Sequence, residues 1–243
     1  MNTLLVVHSS GRVTRSITRR LTDRFIRAWS AANPAGRILT RDVGLNPPST
    51  VNEAWIAGAF ADPQRRTPQM RQALRESDTL LDEVERADAI VIGAPLYNFG
   101  MPAQLKAWFD QIIRVGRTFD FTGDAVEPYR PLLTPKPVVV LVSAGDAAML
   151  PGGSAFPRAT LEPHLTTLLT FNGLTDLTFI RVGDEEKPGE SHDRSIAAAE
   201  EEIDRYIVTR CGRRHTAIAA PHGDAKTDGR EANRCAALEE IHH

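Results

Sequence analysis

Ala89-Ile90-Val91-Ile92-Gly93-Ala94, running on as Pro95-Leu96-Tyr97-Asn98-Phe99-Gly100-Met101-Pro102, is the stretch on which the fold of this chain turns. Its first part is apolar without the alternation of a half-buried strand, so it reads as a central strand covered on both faces. Its second part, with prolines at each end and Gly100 inside, is a loop. Pro102 then stands in the favourable first-turn position of a helix. Leu105, Trp108, Phe109, Ile112 and Ile113 give that helix a wide apolar face.

Working outward, the same alternation repeats. Upstream, Leu4–Val7 is a short buried strand, and Ile17, Leu21, Phe25, Ala28 and Trp29 recur at helical spacing. A second strand is expected at Arg37–Arg41. Residues 44–68 are irregular, with a short helix around Val51–Ala59, and a longer helix over Pro68–Arg86. Downstream come a strand at Val138–Val142, a helix over Ala159–Phe171, a strand at Leu177–Val182 and a helix over Ser191–Val208. Five strands alternating with helices imply an α/β domain: a doubly wound parallel sheet, order 2-1-3-4-5, with helices on both faces. The pattern fails beyond Thr209, so the expected division is a domain at 1–208 and a disordered tail at 209–243, with a short helix conceivable at Glu231–Ile241.

Bulk properties exclude more than they assign. The 243 residues are 42% hydrophobic and 25% charged, ordinary for a globular protein, with a net charge of -2. The arginines are scattered, so neither nucleic acid nor an anionic membrane is recruited by a basic field. No run approaches the ~20 apolar residues of a membrane span, and Met1 leads straight into a strand with no signal-like segment. Cys211 and Cys235 lack metal-like spacing, and a reducing cytoplasm is the simplest location.

In such a sheet ligands bind beyond the carboxyl ends of the strands, where the order reverses. The loop after the first strand, Ser9 to Thr18, runs into a helix N-terminus, whose free N–H groups suit a phosphate. Hydroxyls at Ser10, Ser16 and Thr18 add neutral donors, and Arg12 or Arg15 can balance charge. A plain Ser16 helix cap explains the same residues. The loop lacks G-x-G-x-x-G and the P-loop lysine. In the loop 95–102, two aromatics and an amide suit the wall and edge of a flat heteroaromatic ring. A buried aromatic turn packed on the next helix is the other reading. The third loop to consider is Ser143–Gly153.

Ala94-Pro95-Leu96-Tyr97-Asn98-Phe99, then Pro102, Leu105-Lys106, Trp108, Asp110, Arg114, Gly116 and Thr118-Phe119, closely resembles the signature of flavodoxin-like, FMN-dependent NADH azoreductases and quinone reductases. Ser9-Ser10 with Ser16 and Thr18 is similar to that family's phosphate loop, and the resemblance extends more weakly over residues 1–207. It implies that Ser10, Ser16, Ile17 and Thr18 hold the FMN phosphate, Ile17 through its backbone. Leu96, Tyr97, Asn98 and Phe99 would line the isoalloxazine, and Ser143, Ala144, Gly145 and Asp146 would lie beneath its pyrimidine end. The family usually has S-R-G-G there, so Ala144 and Asp146 are departures. A carboxylate aimed at the ring would disfavour its anionic reduced form; Asp146 pointing to solvent or paired with an arginine would not. Lys106, Trp108, Asp110 and Arg114 are read first as packing and surface residues, then as dimer contacts.

The implied activity is two-electron transfer from NADH or NADPH to a quinone, azo compound or nitroaromatic by ping-pong turnover, in a homodimer, with the flavin and no side chain carrying the chemistry. Trp55 and Phe60 are candidates for the dimer interface or for the core. His8 reads as structural, His164 and His192 as surface residues, and no metal site or serine or cysteine triad is readable. The alternatives are a flavodoxin-like electron carrier, disfavoured by the near-neutral charge, an NADPH-dependent FMN reductase that releases its flavin, and a flavin-free α/β binding module. A receiver module would need acidic residues where Ser9-Ser10 stand.

Overall fold

A computed structural model describes residues 3–218, with side chains up to residue 210. The elements follow the alternation of the sequence: β1 (Thr3–His8), α1 (Ile17–Ala32), β2 (Arg37–Asp42), α2 (Glu53–Phe60), α3 (Pro68–Arg86), β3 (Ala89–Pro95), α4 (Ala103–Ile112), β4 (Phe119–Phe121), β5 (Tyr129–Pro131), β6 (Val138–Ser143), α5 (Leu161–Phe171), β7 (Leu177–Val182) and α6 (Glu190–Ile218). The main sheet is parallel with order β2-β1-β3-β6-β7. Counting only its own strands, this is the expected 2-1-3-4-5.

Why the central strands carry continuous apolar runs is clear from their two faces. Leu5 and Val7, Ile90 and Ile92, and Val138, Val140 and Val142 join one core under α3, α4 and α5. Leu4 and Val6, Ala89 and Val91, and Val139 and Leu141 join the other, under α1 and α6. A strand between two helical layers has no face left for polar residues. The reversal of strand order lies between β1 and β3, where Ser9 donates both its N–H (3.1 Å) and its hydroxyl (2.7 Å) to the Gly93 carbonyl. That pins the first loop beside the end of β3.

Two elements depart from expectation. A small antiparallel hairpin, β4 with β5, was not read from the sequence. Its strands are three residues each, too short for a periodicity to show. Phe119, Phe121, Tyr129 and Phe171 of α5 hold it as an aromatic cluster, with ring centroids 4.9–6.0 Å apart. The last helix also continues past Val208 to Ile218, and Arg210 pairs with Asp176 at 2.6–2.7 Å. That contact comes from the turn before β7, which a one-dimensional reading cannot supply. The rest of the expected tail, including Glu231–Ile241, lies outside the described residues. Among the described residues no helix is long and apolar enough to cross a membrane, and no acidic, His or Cys group could hold a metal.

Candidate active site

The first loop is built around neutral donors. Ser16 is the N-cap of α1, its hydroxyl accepting from Arg19 N–H at 3.3 Å and lying 3.1 Å from the Thr18 hydroxyl. The Arg20 N–H goes to the Ser16 carbonyl. The N–H groups of Ile17 and Thr18 belong to the first turn, where no intrahelical acceptor exists. Ser10, Ser16 and Thr18 are all buried, so their hydroxyls are fixed in place. Ser16 thus caps the helix, and the next two N–H groups have no intrahelical acceptor.

Arg19 is the clamp that shapes this loop, and nothing local separates it from its neighbouring arginines. Its guanidinium spans both Asp42 oxygens (2.6 and 2.9 Å) and donates to the carbonyls of Ser10 and Arg12 (2.8 and 2.9 Å). Burial tends to raise the Asp42 carboxyl, but Arg19 and the Leu45 N–H prevail and hold it below the usual carboxylate range. Gly44 lets the chain after β2 pass against this loop; a Cβ there would lie 2.2 Å from the Ser10 carbonyl oxygen. His8, at the end of β1, is buried with its Nδ1 unpaired, and burial together with Arg19 pushes its pKa below the ordinary value. Both effects favour its neutral form.

The second loop is a tight turn. Tyr97 and Gly100 exchange backbone hydrogen bonds of 2.9 Å, and the two residues between them, Asn98 and Phe99, have φ of 44° and 71°. Two successive positive φ values are those of a type I′ turn, natural for Asn and strained for Phe. The turn is tied down at both ends: Leu96 N–H donates to the Ser143 carbonyl (2.8 Å), and the Phe99 carbonyl accepts from Thr160 N–H (2.6 Å). Tyr97 reaches back with its hydroxyl 3.3 Å from that of Ser10, joining the two loops.

Between these loops opens a cleft of about 220 Å³ lined by Arg12, Pro95, Leu96, Tyr97, Asn98, Gly145, Glu185 and Glu186. Of the residues expected around a ring, Leu96, Tyr97, Asn98 and Gly145 meet here. Phe99 does not line the cleft; it stands half-exposed at the tip of the turn. Ala144 is fully buried, so its side chain serves the core, and its carbonyl accepts from Glu185 N–H. Ser143 is likewise buried at the end of β6. Asp146 turns from the cleft to Lys187, 2.6 Å away, and accepts from Ala148 N–H, which together hold its carboxyl low. The pair is with a lysine from the loop after β7, not with an arginine.

That same loop supplies the residues the sequence did not reveal. Glu185 and Glu186 donate their N–H groups to Ala144 and Gly145, each at 3.1 Å, extending the β6–β7 contact past the sheet and bringing two carboxylates to the cleft. Only the register of β6 on β7 places them. His192, expected at the surface, is half-buried with Nδ1 3.1 Å from the Gly183 carbonyl, and His164 is half-buried as well.

The fold and the switch-point cleft are those of a flavodoxin-like protein, and residues 1–207 match the sequence model of the family described as flavodoxin-like fold. The chain is 57% identical over 207 residues, 85% of its length and 97% of the relative's, to the FMN-dependent NADH:quinone oxidoreductase of Opitutus terrae. It is 40% identical over 205 residues, covering 84% and 97%, to an FMN-dependent NAD(P)H:quinone oxidoreductase of Pseudomonas aeruginosa. An azoreductase structure from Bacillus anthracis superimposes with a TM-score of 0.77 over 86% of this chain and all of that one, at 22% identity, which speaks for the fold alone. The chain belongs to the flavodoxin-like family of FMN-dependent NADH:quinone oxidoreductases.

Proposed function

We propose that this protein is an FMN-dependent NAD(P)H oxidoreductase that passes two electrons to quinones or azo compounds. The observation that carries the reading is the junction of the two loops. Buried hydroxyls and unspent N–H groups at the start of α1 stand beside a flat-walled cleft at the end of β3, linked through Ser10 and Tyr97. A phosphate fits the first part, because its donors are neutral, fixed and aided by the helix dipole. A planar ring fits the second, where Leu96 and Tyr97 give apolar area and the Asn98 amide a polar edge. The names of the quinone oxidoreductase relatives support FMN as the group and NADH or NADPH as the donor.

When bound, FMN supplies the acceptance and delivery of two electrons. The chain's own residues bind, orient and shield. Ser10, Ser16, Ile17 and Thr18 anchor the phosphate, while the Tyr97–Gly100 turn fixes one wall of the ring. Leaving one face open serves a nicotinamide first and a flat acceptor after it, which is ping-pong turnover. We also read a homodimer, with α2 as one contact surface. Phe60 and Ile56 are 63% and 48% exposed on that helix, whereas Trp55 is buried and donates from Nε1 to Gln111 (2.8 Å). Trp55 is thus a core residue and Phe60 the interface candidate.

The decisive measurement is the visible spectrum of the purified protein after incubation with FMN, followed by anaerobic NADH. Flavin bands that bleach and return on adding benzoquinone are the expected result. A protein that stays colourless refutes the reading.

A further inference from the structure

The cleft is bridged by an ion pair that belongs to neither wall alone. Arg12 Nη1 lies 2.8 Å from Glu185 Oε1, joining the loop after β1 to the loop after β7, 173 residues apart in sequence. Both residues line the cleft. Both are also held from behind. The Arg12 N–H donates to the Ser10 hydroxyl (3.1 Å), its carbonyl accepts from Arg19 (2.9 Å), and the Glu185 N–H donates to the Ala144 carbonyl (3.1 Å). The Glu185 side chain is only 14% exposed and that of Arg12 49%. Anchoring both backbones reduces the entropy lost in pairing the side chains, the usual reason that surface pairs contribute little.

A ligand with its phosphate at α1 and its ring against Leu96–Asn98 has to pass beside this bridge, because Arg12 is hydrogen-bonded to Ser10 and Glu185 to Ala144, while both side chains line the cleft. We propose that the Arg12–Glu185 pair is a strap across one edge of the cleft that retains bound FMN, leaving the open face clear, and sets the rate of its release. The inference rests on the FMN reading above. The remaining carboxylate of the cleft, Glu186, has no cation partner among the described residues, and Lys187 is engaged by Asp146. Arg12 is therefore the cation that closes this side.

The experiment measures FMN dissociation by stopped-flow flavin fluorescence for the parent and for E185Q, R12Q and the exchanged pair R12E/E185R. Each single variant is expected to release FMN about fivefold faster, as for one partly shielded ion pair, while the exchanged pair returns to within about twofold of the parent. Raising ionic strength should speed release from the parent more than from E185Q, which keeps only the salt-screened phosphate contact, and loss of mere loop stability would not mimic that difference. An unchanged rate in E185Q overturns the strap. So does weakening in R12Q alone, which would assign Arg12 to the phosphate. A parent that shows no bound flavin defeats the FMN reading itself, and the strap with it.

Discussion

Asn98 and Phe99 sit side by side at positive φ, and the cost of that geometry falls unequally on them. Asn tolerates the left-handed region through its short amide; most other side chains lose about 1 kcal/mol there. Asn98→Ala is thus expected to lower stability by about 1 kcal/mol in urea unfolding and also to weaken FMN retention. Unchanged flavin affinity would refute the role assigned to the amide. His8 makes a prediction in pH. Its folded pKa lies below the ordinary 6.5, so the unfolded chain takes up the proton first. Stability should be fully present above about pH 6.5 and decline as pH falls through the folded value. Urea midpoints across pH 5–8 for the parent and H8Q test this: the slope should flatten in the variant. Asp42, also held low by Arg19, gives a loss of the same sign further down, below the ordinary carboxylate value of 3.8.

Among the elements, the signature around α4 proves to be largely architecture. Trp108 is 1% exposed in the core under the sheet, and Lys106 pairs with Asp110 one turn along the same helix. Arg114 is buried, donating to the Ser77 hydroxyl at 2.9 Å and pairing with Asp78, which fastens α3 to the end of α4. Gly116 has φ of 73°, and the Thr118 hydroxyl accepts from Arg114 N–H (2.9 Å), closing the turn that starts the aromatic hairpin. Packing and surface roles for these residues were the first expectation, and the structure gives them in detail. Arg114→Met should cost about 1–2 kcal/mol, because it removes the buried guanidinium's hydrogen bonds to Ser77 and Asp78. Lys136 does similar service at the C-terminal end of α3, its ammonium donating to the carbonyls of Val84, Glu85 and Ala87 at 2.6–3.3 Å. Lys136→Met should destabilise by about 2–3 kcal/mol. Thermal unfolding of both variants checks these values, and a change below about 0.5 kcal/mol would reduce either contact to incidental packing.

At the scale of the whole molecule, α2 presents an exposed apolar side. Phe60 and Ile56 are one helical turn apart, so their exposed side chains form one apolar strip. If two copies pair there, F60D should raise the dimer dissociation constant at least about tenfold, since a charge would be buried against apolar surface. Sedimentation of parent and variant over a concentration series reads this directly. A parent that sediments as a monomer, or a variant that pairs equally well, removes α2 from the interface.

Much of this protein could be read from its residues in order. The five strands and their helices follow from local runs such as Leu4–Val7 and Ala89–Ala94, because burial on two faces leaves a one-dimensional signature; the order 2-1-3-4-5 was expected from the fold class, and the strand pairing shows it. The start of α1 with its Ser16 cap was legible too, since a helix N-terminus and its hydroxyls are neighbours in sequence. What only the tertiary structure decided is how distant loops meet. Nothing local tells Arg19 from the arginines around it, or brings Glu185 and Glu186 to Ala144 and Gly145. Nor does it turn Asp146 toward Lys187 or Ala144 into the core. Those placements depend on the register of β6 against β7 and on the close approach of loops at the switch point, where contacts join residues far apart along the chain.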